Sequence, residues 1–258
     1  MWKSLGFKHS PYNANPLKPS KDDVDLLAGR AEEMVQLCTH LDASEQGVFI
    51  ISGQPGVGKT SFFNVSQYLM ENGEAPCGPR LMCARKLCAI QPSDDVRAVA
   101  QRAVTSLVKS VEDFCTLHNK AVPKETRKVA KWISSKGSGS FDFGLTLFNV
   151  GGNFGRSVEL PAFAETTFER LQDVLGGISS EIRGELGVAG ALVVLDNIEN
   201  LEEDQLMSLL VSFRDTLFSI PNLWWILIGQ AGVLVHRELD KRPVLLRDSG
   251  HIPSLRLL

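Results

Sequence analysis

The sequence predicts an α/β fold, a parallel sheet covered by helices on both faces. Three observations point there. Short continuous apolar runs, at residues 47–52, 191–195 and 224–229, have the character of strands buried on both sides. Segments with apolar residues at helical spacing alternate with these runs along the chain. The first run leads into a glycine-rich octet, Gly53-Gln54-Pro55-Gly56-Val57-Gly58-Lys59-Thr60, and a helical pattern follows at once. Strand, glycine loop and helix start together make a nest of backbone N–H groups with the positive end of a helix dipole behind it, which is an anion cradle.

In chain order, residues 1–28 read as an extended leader, because Pro11, Pro16 and Pro19 oppose a regular helix. A core over residues 29–258 follows. Its first helix runs from Arg30 to about Asp42 and places Ala31, Met34, Cys38 and Leu41 on one face. The helix after the octet carries Phe62, Val65 and Leu69 at helical spacing and stops at Asn72-Gly73. Residues 80–84 read as a strand. A helix then starts near Pro92-Ser93, with Ser93 as N-cap, Asp94 and Asp95 suiting the dipole, and Val96, Val99, Ala103, Leu107 and Val111 inward.

An insertion over about residues 120–160 interrupts the alternation. It comprises a short basic helix at 123–135, a Gly137-Ser138-Gly139-Ser140 break, and a β-hairpin in which Phe141, Phe143, Leu145 and Leu147 alternate, with Val158 and Leu160 across a turn at Gly151-Gly152. A helix over 164–185 carries Phe168, Leu171, Leu175, Ile178 and Ile182, although Gly176-Gly177 weakens its middle. Residues 202–220 form an amphipathic helix with Leu206, Leu209, Leu210, Phe213 and Leu217 inward and acids in its first turn. After the strand at 224–229 the pattern gives a helix to about Leu239 and a final strand over 251–258.

Composition narrows the function classes. With 258 residues and a net charge of −3, the chain has room for one sizeable core and carries no global electrostatic footprint for nucleic acid. The cysteines, Cys38, Cys77, Cys83, Cys88 and Cys115, are odd in number and lack paired C-x-x-C spacing, so they read as free thiols in a reducing compartment. The first residues lack a long apolar core, and no apolar stretch is long and uninterrupted enough to span a bilayer. A cytoplasmic location without a membrane partner is the expectation.

The octet fills every fixed position of the phosphate loop G-x-x-x-x-G-K-[ST]. In that loop the glycines let the backbone wrap phosphates, Lys59 reaches the β- and γ-phosphates, and the Thr60 hydroxyl ligates Mg²⁺. Contacts to nucleotide then run from Gly53, Gln54, Pro55, Gly56, Val57 and Gly58 through Lys59 and Thr60 to Ser61. Asp196 closes a buried strand on the same sheet edge, where it is placed to hold Mg²⁺. Asn197 cannot take a proton. Glu199 can, and it reads either as the hydrolytic base or as a solvated loop acid. Gln230 ends the next buried strand and reads either as a γ-phosphate or water contact or as an ordinary helix N-terminal residue. Arg247 reads as an arginine finger to a neighbouring subunit or as a surface arginine. Lys120, Lys124, Arg127, Lys128, Lys131 and Lys136 form a local basic stretch, either a contact to the phosphate backbone of DNA or a solvated helix face.

These residues give the chain a resemblance to the ATPases of the AAA+ and STAND superfamilies, in particular the origin-recognition-like branch. Leu26-Leu27-Ala28-Gly29-Arg30-Ala31-Glu32-Glu33 resembles the family's box at the adenine side, which implies a nucleotide contact for Arg30. Residues 53–60 match Walker A, 193–196 match Walker B, and Ile228-Gly229-Gln230 resembles the end of the sensor strand. Leu5-Gly6-Phe7 with Ser10-Pro11-Tyr12 is similar to the opening of such ATPases. The resemblance implies a parallel-sheet P-loop NTPase core with the sensor strand between the two Walker strands. It also implies ATP rather than GTP, since no N-K-x-D base reader follows the second motif. The family often has Glu directly after the Walker B Asp, where this chain has Asn197, so slow turnover is expected. The family's helical lid is expected to be missing, because the last residues read as a core strand.

The leading expectation is an ATP-binding switch with slow Mg²⁺-dependent hydrolysis, its nucleotide state controlling association with a protein partner or a second copy. Alternatives are an ATPase that loads onto DNA or helps transposition, and a non-hydrolysing module in which nucleotide is structural.

Overall fold

The apolar run that precedes the glycine loop becomes an interior strand of a parallel sheet, paired on both sides. The structure, a computed structural model, describes residues 15–85, 87–135, 168–230 and 250–251. In chain order the elements are α1 (Lys21–Val24), α2 (Ala31–Asp42), β1 (Gly47–Gly53), α3 (Lys59–Asn72), β2 (Leu81–Met82), β3 (Cys88–Ala89), α4 (Val96–Leu117), α5 (Lys124–Ser135) and α6 (Phe168–Glu185). They continue with β4 (Gly190–Asp196), a 3-10 turn at Ile198–Asn200, α7 (Glu203–Arg214), a second 3-10 turn at Leu217–Ser219, β5 (Leu223–Gln230) and β6 (Gly250–His251). The expected hairpin at 141–160, the helix after Gln230, Lys136 and Arg247 lie outside the described residues. So do the leader's first residues and the family-like opening within them.

The strand order is β6-β1-β5-β4, with β2 and then β3 along the outer edge of β4. All pairs are parallel. The strand that ends in Gln230 therefore lies between the two Walker strands, as the family resemblance implies. Register fixes the edge that matters: Gly53 pairs with Gln230, and Asp196 pairs with Ile228.

Alternation along each strand splits the core in two. Val48, Ile50, Val193, Leu195, Trp225 and Leu227 face α4, α5, α6 and α7. Phe49, Ile51, Leu192, Val194, Ile226 and Ile228 face α2 and α3. Each such side chain contributes about 1.5–3 kcal/mol on full burial, so a one-residue slip of β1 would exchange the two sets and expose none of them to a matching surface. Asn72-Gly73 stops α3 as the sequence predicts. Gly73 adopts φ +71°, and the chain closes with Glu74 N–H donating to the Leu69 carbonyl at 2.8 Å.

Four local expectations are corrected. The leader expected to be extended forms the short helix α1 past its last proline, with Asp23 N–H donating to the Ser20 carbonyl at 3.1 Å. The strand expected over 80–84 pairs only at Leu81 and Met82. Beyond them buried side chains take over the backbone: Cys83 N–H donates to Glu71 at 2.7 Å and Ala84 N–H to Gln67 at 2.9 Å. Arg85 N–H goes to the Ser110 hydroxyl, and pairing resumes at Cys88 and Ala89, beside Leu195 and Asp196. The N-cap of α4 is Asp95 rather than Ser93, its carboxylate accepting Ala98 N–H at 2.7 Å. The helix expected over 202–220 ends at Arg214. There the chain turns so that the Leu217 carbonyl accepts Trp225 Nε1–H at 3.1 Å and Phe213 and Phe218 pack edge-on against the Trp225 ring.

Candidate nucleotide-binding site

Two glycines shape the loop. Gly56 and Gly58 have φ of +82° and +84°, and a Cβ built on Gly56 meets nothing within 4 Å. Backbone conformation, not space, is what requires glycine there. Gly58 caps α3, and the first intrahelical bond runs from Phe62 N–H to the Gly58 carbonyl at 2.8 Å. The N–H groups of Lys59, Thr60 and Ser61 therefore precede the first closed turn and point out of the helix start. Lys59 curls back over its own loop, with Nζ donating to the carbonyls of Gly53 at 3.0 Å and Gln54 at 3.1 Å. Partial burial lowers its pKa, opposed by the charges of Glu199 and Asp196. An anionic phosphate is a stronger acceptor for that ammonium than either carbonyl.

The acid rim faces the loop. Burial raises the Asp196 pKa, with Glu199 pushing the same way, while the Asn197 N–H bond at 3.0 Å and Lys59 pull it down. Asn197 sits in the left-handed region at φ +61° and turns the chain at once into the Ile198–Asn200 turn. That turn lies on the end of β5: a Cβ on Gly229 would be 2.5 Å from Ile198 Cγ1 and 3.2 Å from Glu199 Oε2. Glycine at 229 thus admits the turn and sets the exposed Glu199 carboxylate against the strand end, one residue before the exposed Gln230. A brace holds the rim in place, since Ile90 N–H donates to the Asp196 carbonyl at 2.8 Å and Asn200 Nδ2 to the Ile90 carbonyl at 2.8 Å.

The structure gathers residues 53–61, Asp196, Glu199 and Gln230 on one sheet edge. Arg30 reaches it from the N-cap position before α2, where Nη2 donates to the Val57 carbonyl at 3.2 Å and Nη1 pairs with Glu33 at 2.8 Å. The Ser61 hydroxyl is turned away, accepting the Leu17 N–H at 3.0 Å, which leaves the backbone N–H as that residue's contribution to an anion. The basic stretch is not part of this site. Lys120 donates to the Leu186 carbonyl, Arg127 to the Val122 carbonyl and Lys128 to Glu125, while Lys124 and Lys131 are exposed on α5. Sequence reasoning missed the fit of Gly229 under Ile198 and the anchoring role of Asn64; Gly229 was legible only as part of a strand end.

A divalent cation fits these residues. Among the described residues no group of three or more His, Cys, Asp or Glu side chains converges as a metal cage. What the edge offers is the Thr60 hydroxyl and a desolvated Asp196 carboxylate, whose raised pKa marks a charge that a cation would relieve. Magnesium is commonly held by one or two protein oxygens, with water and phosphate completing the shell.

Residues 28–237 match the profile of the KAP family P-loop domain. The chain belongs to the KAP family of P-loop NTPases. Among solved structures, this KAP domain is similar to the Walker-type ATPase PABY2304 of Pyrococcus abyssi, with 20% identity and a TM-score of 0.46 over 95% of this chain and 56% of that one. It is also similar to the ORC2 protein of Aeropyrum pernix in its ADPNP-ADP complexes, with 13% identity and a TM-score of 0.41 over 93% of this chain and 52% of that one. The chain thus spans little more than half the length of either. No curated protein matches in sequence. No helix among the described residues is long and apolar enough to cross a membrane.

Proposed function

We propose that this KAP domain binds Mg-ATP and hydrolyses it slowly, as a switch whose nucleotide state controls association with a protein partner or a second copy in the cytoplasm. The observation that carries the reading is the register that sets Gly53 beside Gln230 and Asp196 two residues short of it, so that phosphate loop and acid rim share one edge. The N–H groups of the loop and of Lys59, Thr60 and Ser61 would hold the β-phosphate, and Lys59 would leave its two carbonyls for the β- and γ-oxygens. Thr60 and Asp196 would hold the magnesium ion, which neutralises charge on the phosphates. Glu199 would take the proton of a water whose oxygen attacks the γ-phosphorus, as the bond to the ADP oxygen breaks, with Gln230 against the γ-phosphate or that water. Arg30, tied to Val57, lies toward the adenine side.

Slow turnover is supported by Asn197 where a base would stand directly after Asp196, and by the exposure of Glu199. The sheet order supports the finer placement beside AAA+ and STAND ATPases of the origin-recognition type. The test is phosphate release from Mg-ATP. A slow release that needs magnesium and stops in Asp196→Asn is expected, whereas ATP binding with no release at all would make the domain a non-hydrolysing module, and a rate unchanged in that variant would remove Asp196 from the chemistry. A second reading, ATP-dependent contact with DNA, is favoured by the exposure of Lys124, Arg127, Lys128 and Lys131 on α5. Filter binding at rising salt tests it, and affinity without salt or ATP dependence would end it.

A further inference from the structure

Asn64 lies one helical turn past Thr60 and is 4% exposed, yet the phosphate chemistry makes no use of it. Its Nδ2 donates to the Leu17 carbonyl at 2.8 Å, and the Ser61 hydroxyl accepts the Leu17 N–H at 3.0 Å. Side chains three residues apart on one helical face thus satisfy both backbone groups of Leu17, a task that normally falls to strand pairing or water. Behind Asn64, Oδ1 accepts from Gln67 Nε2 at 3.4 Å, and Gln67 Oε1 accepts Ala84 N–H at 2.9 Å. The contact is therefore tied through α3 to the segment after β2.

From Leu17 the arm folds back on itself. Asp23 accepts the Lys18 N–H at 2.6 Å, α1 lies against α3, and Leu27 packs on the core beneath α2 and α3. At the far end Arg30 holds the Val57 carbonyl. The arm grips the phosphate loop at one end and, at the other, the helical turn that follows the loop.

We propose that residues 15–30 are a clasp whose docking is linked to nucleotide binding, with Asn64 and Ser61 as its positioning residues; the proposal rests on the Mg-ATP reading above. The N–H groups of Lys59, Thr60 and Ser61 belong to the turn that presents the Ser61 hydroxyl, and Asn64 stands on the next. Fixing Leu17 against both side chains orders that turn. A phosphate bound to the same turn meets a lower ordering cost when the arm is docked, and the arm meets a lower one when phosphate is bound. Neither Asn64 nor Leu17 touches reacting atoms, so the clasp acts on affinity and leaves the bond-breaking step alone.

The test combines amide hydrogen exchange over the arm with the Kd and kcat for Mg-ATP, on the full chain. Mg-ATP is expected to slow exchange over residues 15–27. Asn64→Ala and Asp23→Ala, which removes the acceptor of the Lys18 N–H, are each expected to speed it in the nucleotide-free protein and to weaken Kd by about three- to tenfold, the size of one lost hydrogen bond, with kcat unchanged. Asp23→Asn, which keeps an acceptor oxygen, is expected to restore both. Should Asn64→Ala fail to fold, the two Asp23 variants and the wild-type exchange decide the matter. Nucleotide binding that leaves arm exchange unchanged overturns the clasp and spares the ATP reading, as does a loss of kcat at unchanged Kd. A wild-type chain that binds no Mg-ATP overturns both.

Discussion

The phosphate loop takes its shape from consecutive residues, whereas the acid rim facing it is assembled from two strand ends, Asp196 with its turn and Gly229-Gln230. The two halves also use glycine differently. Gly56 meets nothing and is needed for its φ of +82°, while Gly229 is needed because Ile198 and Glu199 occupy the space where a side chain would stand. The loop is thus a matter of local backbone conformation, and the rim a matter of long-range packing. A chain can hold the first intact while the second drifts, and under the proposed slow turnover the exposed Glu199 and Asn197 of the rim are where the two halves come apart.

Variants separate the halves. The largest effect is expected from Glu199→Gln, which should lower phosphate release by about 10²–10⁴-fold, the range for loss of a general base, with Mg-ATP affinity kept. Equal loss of affinity would place Glu199 among the binding groups instead. Gly229→Ala pushes a methyl into Ile198 and should cost about 1–3 kcal/mol of stability by overpacking, displace Glu199, and lower turnover more than binding. Thermal unfolding together with single-turnover rates would read both effects. Gly56→Ala meets no atom and should fail by strain alone, about 1–2 kcal/mol for a left-handed alanine, seen as weaker nucleotide binding with the single-turnover rate preserved. A pattern in which both glycine variants damaged the same step would collapse the distinction.

The smallest effect concerns charge. Burial raises the Asp196 pKa in the folded chain, so the folded state holds that proton to higher pH than the unfolded chain does. Its favourable contribution is complete below the unfolded value of about 3.9 and is lost as pH rises through the raised folded value. At neutral pH the ionised carboxylate therefore opposes folding, and Asp196→Asn should raise the Tm of the nucleotide-free protein by on the order of a few degrees. The gain should shrink in acid. A variant less stable than wild type at neutral pH would show that the bond from Asn197 and the pull of Lys59 outweigh burial.

Much of this was legible in the sequence where the cause is local. The strands at β1, β4 and β5, the glycine loop, α3 with its Gly73 stop, and the basic α5 all follow from neighbouring residues. What escaped depends on partners remote in sequence. The split of the 80–84 strand follows from Glu71, Gln67 and Ser110 capturing its N–H groups, and the early end of α7 from Trp225 reaching for the Leu217 carbonyl. Gly229 and Asn64 belong to the same class. A glycine at a strand end and an asparagine inside a helix carry no pattern until Ile198 and Leu17 are brought against them.

The central claim is that the loop's anion cradle, with Lys59 turned over it, takes Mg-ATP. Isothermal titration of the wild-type chain and of Lys59→Ala tests it most directly. One Mg-ATP per chain is expected for the wild type, with affinity reduced by about two orders of magnitude in Lys59→Ala, since each charge-assisted contact is worth about 1.5–3 kcal/mol. Superimposable titrations of the two proteins would contradict it.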